Sequence, residues 1–65
     1  MNGPPRGLRL AYTVQEAAIM LSLSRSLVYE LINAGKIETI KIGRARRITA
    51  KQLEVYLQKC ESQIQ

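Results

Sequence analysis

Two stretches of this chain announce a helix in the same way. Thr13 is followed three residues later by Glu16, and Thr49 three residues later by Gln52. A hydroxyl that accepts from the amide three residues on, with a side chain reaching back, satisfies two amides that a helix start leaves open. Each pair therefore fixes where a helix begins. After Thr13, the residues Val14, Ala17, Ala18 and Leu21 recur at helical spacing and define one buried face. Ser22-Leu23-Ser24 breaks that pattern after about two turns, and Ser24 is a good N-cap for a second helix. That helix is expected from about Arg25 to Ala34, with Leu27, Val28, Leu31 and Ile32 apolar and Gly35 closing it in the left-handed conformation. Two short helices joined by a tight turn form a helix-turn-helix pattern.

Between this pair and the second capping box the period changes. From Ile37 to Ile42 it alternates, with Ile40 and Ile42 on one side and Thr39 and Lys41 on the other. β-Branched content supports a strand. Gly43-Arg44 is the expected turn, and Arg46-Arg47-Ile48 the return strand with Ile48 inward. Ile48 and Leu53 sit at the staple positions around Thr49, and Leu53, Tyr56 and Leu57 are expected to close the core. The expected fold is a small α+β, mostly α, winged helix-turn-helix: two helices, a β-hairpin wing and a third helix. Residues 1–9 read as a flexible arm, because Gly3, Pro4, Pro5 and Gly7 resist regular structure. Leu8 and Leu10 read as an extended lead-in whose leucines touch the core. Residues 10–58 read as the domain, and 59–65 as an extension of the last helix.

Sixty-five residues suffice for one small domain. Ten Lys+Arg against five Asp+Glu favour a polyanion as partner. The charge is placed as well as abundant. Between Glu38 and Glu54 lie Lys41, Arg44, Arg46, Arg47 and Lys51, with no acid among them. Guanidinium groups at a hairpin tip suit phosphates or a minor groove, since they fork onto phosphate oxygens and tolerate partial desolvation. Lysines and arginines also blunt edge strands against aggregation, but five cations beside a helix-turn-helix pattern favour duplex DNA. On the second helix, Arg25 and Tyr29 are one turn apart, flanked by Ser26 and Asn33, and Ser24 stands at its start. This face is expected to read base edges. Glu30 on the same side either repels phosphate, accepts from a cytosine amino group, or orients Arg25.

Enzyme chemistry finds no support. His is absent, no carboxylates pair at helical spacing, and no Gly-rich phosphate loop is present. Ser22, Ser24 and Ser26 have no candidate base. Cys60 is a lone cysteine, so neither an internal disulfide nor a metal site is expected, and no cofactor. A lone thiol fits a reducing cytoplasm. No stretch is long enough to span a membrane, and residues 1–10 lack the apolar core of a secretory signal. Leu53, Leu57, Cys60 and Ile64 are spaced four, three and four apart. Leu57, Cys60 and Ile64 are thus a candidate partner face, set against the reading of a frayed end with Cys60 as an apolar filler.

Taken together, Tyr12-Thr13-Val14-Gln15-Glu16-Ala17-Ala18, Ser24-Arg25-Ser26-Leu27-Val28-Tyr29, Gly35-Lys36-Ile37 and Ile42-Gly43-Arg44-Ala45-Arg46-Arg47-Ile48 resemble the excisionase-type helix-turn-helix family. These are small MerR-like winged-helix proteins of phages, plasmids and integrative elements. The resemblance covers residues 10–58. It implies binding and bending of duplex DNA at attachment sites, side-by-side self-association on DNA, and help to a separate integrase in excision. Related proteins act as small transcriptional regulators. By position, Arg25, Ser26 and Tyr29 match the family's recognition-helix contacts, and Gly43, Arg44 and Arg46 its wing. The chain departs from the family in having Ser22 where Gly is common, Leu27 where Thr is usual, Glu30 for a basic residue and Arg46 for an aromatic. A rival reading is a protein-interaction module whose basic hairpin docks on an acidic partner. A membrane-surface peptide fits poorly, because Gly43 and the strand pattern interrupt any long basic amphipathic helix.

Overall fold

A computed structural model describes residues 10–63. The expectations for residues 1–9, including Leu8, and for Ile64 fall outside the described residues. The elements run β1 (Ala11–Tyr12), α1 (Val14–Leu21), α2 (Arg25–Asn33), β2 (Ile40–Ile42), β3 (Ala45–Thr49) and α3 (Ala50–Ser62).

Both capping boxes form. The Glu16 amide donates to Thr13 Oγ1 at 3.0 Å, and the Thr13 amide donates to Glu16 Oε1 at 2.9 Å. At α3, the Gln52 amide donates to Thr49 Oγ1 and the Thr49 amide to Gln52 Oε1, both at 3.0 Å. Ser24 caps α2 by accepting from the Leu27 amide at 3.1 Å.

The two helices of the pair end in the same closure. Leu23 N–H donates to Ala18 C=O at 2.9 Å and Ser22 N–H to Ile19 C=O at 3.1 Å. After α2, Lys36 N–H donates to Leu31 C=O at 2.8 Å and Gly35 N–H to Ile32 C=O at 3.0 Å. This pair of bonds requires a left-handed residue at the turn. Gly35 supplies it at φ 77°, but after α1 a serine takes the role, with Ser22 at φ 60° and ψ 38°. An L-residue pays a steric cost in that conformation. The inter-helix turn is therefore strained at one residue.

The sheet corrects the expected element order. A short strand, β1, precedes the first helix and pairs antiparallel with β3, so the strands run β1-β3-β2. Tyr12 lies opposite Ile48 and Ala11 opposite Thr49. The hairpin forms at the expected place: Ile42 faces Ala45 across Gly43-Arg44. Gly43 has φ 62° while Arg44 is not among the positive-φ residues. That combination defines a type II′ turn, which matches strand twist and takes Gly at its first central position.

The core consists of Val14, Ala17 and Ala18 from α1, Val28 from α2, Ile37, Ile48 from β3 and Leu53 from α3. Tyr12, Leu21, Leu23, Leu31, Ile32 and Tyr56 pack around it, partly buried. Three leucines expected inside are outside. Leu10 is 79% exposed, and its carbonyl accepts from the Ala50 amide at 3.0 Å. Leu27 and Leu57 are also exposed. Each stands at the edge of its apolar stripe, and a core of seven residues is too narrow to cover stripe edges. Ile40 and Ile42 are exposed too, because β2 is the outer strand of the sheet. Ile37, ahead of the strand, fills the core instead.

Candidate nucleic-acid interface

The N-terminal half of α2 faces the base of the hairpin across an open cleft of about 370 Å³. Arg25 and Tyr29 line it from α2, and Arg46 and Arg47 from β3. The third wall is the start of α1, formed by Thr13, the buried Val14 and the exposed Gln15. The fold explains the meeting. Pairing of β1 with β3 puts Tyr12 opposite Ile48, so the first residues of α1 lie beside Arg47. Ser24 as N-cap sets where α2 begins, which places Arg25 and Tyr29 on its exposed side one turn apart.

The electrostatics follow from the bonding. Arg46 donates to Thr39 Oγ1 at 3.2 Å, and Arg47 donates to the Arg46 carbonyl at 2.8 Å. Both acceptors are neutral, so the guanidinium groups are oriented without their charge being cancelled. The amide end of α1 lies on the same side, its positive pole partly offset by the Glu16 carboxylate of the capping box. Such an arrangement suits an anion, and its open shape suits a long one.

The other anticipated residues take different places. Ser24 is engaged as the α2 cap, though its hydroxyl hydrogen remains able to donate. Ser26 and Asn33 are exposed on α2 and do not line the cleft. Lys41 lies opposite Arg46 in the hairpin, and Gly43 and Arg44 form its tip, all exposed. Thr13, Val14 and Gln15 were not anticipated at the site. The capping box locates them at a helix start, but only the β1–β3 pairing brings that start to the hairpin.

On α3, Leu57 is exposed and Cys60 half-buried. Interaction with the Cys60 thiol raises the Tyr56 phenol pKa above its usual value, and burial pushes the same way. Among the described residues, no His, Cys, Asp and Glu cluster is placed to hold a metal, and no helix is long and apolar enough to cross a membrane.

Three helices, a three-stranded antiparallel sheet and a tight turn between α1 and α2 define a small α+β helix-turn-helix domain. The family model described as a helix-turn-helix domain matches residues 11–61, and the chain belongs to that family. Among curated proteins, it is 44% identical over 48 residues to a "Probable excisionase" of Saccharopolyspora erythraea, covering 74% of this chain and 49% of that protein. It is 41% identical over 58 residues to a "Putative antitoxin VapB50" of Mycobacterium tuberculosis, covering 89% of this chain and 43% of that one. It is also 35% identical over 46 residues to "Uncharacterized protein YvgK" of Bacillus subtilis, covering 71% of this chain and 15% of that protein. The chain thus spans half or less of the length of these relatives. No solved structure matches it.

Proposed function

We propose that the chain is a sequence-specific duplex-DNA-binding excisionase of a mobile element, acting in the cytoplasm. The observation that carries this reading is the cleft, where Arg25 and Tyr29 of α2 meet Arg46 and Arg47 of the hairpin. In this reading α2 enters the major groove. Arg25, Ser26, Tyr29 and Asn33 address base edges, and Ser24 donates to the backbone at the helix start. The exposed Leu27 offers an apolar contact to a thymine methyl. The hairpin acts as a wing: Arg46 and Arg47 hold phosphates beside α2, while Lys41, Gly43 and Arg44 follow the flanking minor groove. The start of α1 receives a backbone phosphate from the third side.

Domain limits follow from the same reading. Residues 10–58 bind DNA, and the turn of α3 beyond Gln58 lies past that unit. Leu57, Cys60 and Ile64 then serve contact with an integrase or with a neighbouring copy on DNA. Bending an attachment site costs on the order of 1–6 kcal/mol, which several phosphate contacts offset. The similarity to a probable excisionase supports the recombination role.

A second reading is a small transcriptional regulator of a mobile element or prophage; over most of its length the chain is also similar to a protein named a putative antitoxin rather than an excisionase. Reconstituted excision separates the two. With integrase and a two-site DNA substrate, the full chain is expected to stimulate excision, and truncation after Gln58 to spare single-site binding while weakening excision. If excision is unchanged while a promoter in the same extract is repressed or activated, the regulator reading holds instead.

A further inference from the structure

Among the described residues the cations fall into two groups. Arg25, Arg44, Arg46 and Arg47 all lie on α2 and the hairpin, together with Lys41. Lys36, Lys51 and Lys59 lie elsewhere, around a second cleft of about 370 Å³ between β2 and α3. The floor of that cleft is apolar. Ile40 (37% exposed), Val55 (38% exposed) and the ring of Tyr56 line it. It continues into a neighbouring hollow of about 300 Å³ that shares Lys36, Tyr56 and Lys59. The only carboxylate lining either hollow among the described residues is Glu38.

We propose that this groove is a docking site for an acidic amphipathic helix from a partner protein. Lysine lays its methylenes along apolar surface and keeps its ammonium in water at the rim. A floor of Ile40, Val55 and Tyr56 under three ammonium groups therefore complements a helix with an apolar stripe flanked by Asp and Glu. The groove follows α3 from Lys51 to Gln63 and so accommodates about three to four helical turns. Glu38 at one side disfavours a carboxylate there and sets the direction in which the helix lies.

DNA is the poorer occupant. Phosphates gain nothing from covering Ile40 and Val55, and no arginine lines the groove. The chain's own first nine residues are poorer still, since they carry Arg6 and Arg9 and no acid. On a second copy, Glu54, Leu57 and Glu61 imitate the required face with a single apolar anchor. That makes self-association a competing outcome to be measured.

The probe is a synthetic helical peptide of about four turns, with Leu at i, i+3, i+4 and i+7 and Glu elsewhere. Its control replaces every Glu by Lys and keeps the leucines. Titrated into the isotope-labelled full chain, the acidic peptide is expected to shift the amide signals of Ile40, Val55, Tyr56 and Lys59, leaving Arg25, Tyr29 and Arg46 unmoved. Lys36→Glu with Lys59→Glu, and separately the surface change Val55→Glu, are expected to weaken it about tenfold or more, equivalent to about 1.4 kcal/mol. Circular dichroism on each variant establishes that it is folded. The proposal is overturned by equal binding of the basic peptide, by shifts confined to α2 and the hairpin, or by no saturable binding up to about 1 mM. It is also overturned if sedimentation shows the free chain self-associating through the same residues. These titrations contain no DNA, so their failure leaves the DNA-binding reading standing. Loss of DNA binding, in turn, leaves them unaffected.

Discussion

Removing charge from the cleft weakens the salt dependence of DNA binding, whereas removing the same charge from the α3 side leaves it steep. Five cations stand on α2 and the hairpin: Arg25, Lys41, Arg44, Arg46 and Arg47. If each neutralises one phosphate, the log-log dependence of affinity on salt has a slope of about −4.5. Raising KCl from about 50 to about 200 mM then lowers affinity roughly 500-fold. The triple variant Arg25→Gln, Arg46→Gln, Arg47→Gln empties the cleft of guanidinium groups and leaves two of the five cations. Its expected slope is about −1.8, and the same salt step costs only about 12-fold. A matched variant, Lys36→Gln, Lys51→Gln, Lys59→Gln, removes the same net charge from the α3 side. It is expected to keep the steep slope, because those lysines face away from the cleft. Fluorescence anisotropy with a labelled duplex of about two helical turns, over a range of KCl, reads all three proteins. If the two triple variants lose slope equally, overall charge rather than the cleft governs binding, and the reasoning from placement is refuted.

Two predictions concern the scaffold that holds the cleft. Ser22→Gly relieves a left-handed cost of about 1–2 kcal/mol and loses roughly 0.4–1 kcal/mol to the greater freedom of the unfolded chain. The net, from about 0 to about 1.6 kcal/mol of gain, raises the melting temperature by up to roughly 13 °C, and a lower value in thermal denaturation contradicts the strain. Val28→Asp puts a carboxylate into a site with no exposure and no polar partner, at a cost of several kcal/mol, about the whole stability of so small a domain. Circular dichroism is expected to show an unfolded chain at neutral pH, and a native-like melt refutes the packing described.

The boundaries of α1, α2 and α3 were legible because caps are local chemistry: Thr13, Ser24 and Thr49 each act within three residues. The turn at Gly43 was legible for the same reason. The strand at Ala11–Tyr12 was not, since two residues carry no alternation and the strand exists only by pairing with β3. The exposure of Leu10, Leu27 and Leu57 was hidden because periodicity shows which residues share a stripe but not how wide the core beneath it is. At the cleft, residue types and charge placement could be read from the chain. Its third wall at Thr13, Val14 and Gln15 depends on a contact between segments more than thirty residues apart, which no local pattern encodes.

The central claim is that α2 reads a DNA sequence while the hairpin holds the backbone. Selection from a pool of randomised duplexes at moderate salt tests it most directly. The unaltered chain is expected to enrich one short motif. Arg25→Ala and Tyr29→Ala are expected to flatten that motif at particular positions by about 1–3 kcal/mol of discrimination, while binding to random duplex falls less. Arg47→Ala is expected to weaken all sequences alike and leave the motif intact. Enrichment of no motif by the unaltered chain, or equal loss on selected and random DNA for Arg25→Ala and Tyr29→Ala, would contradict the account.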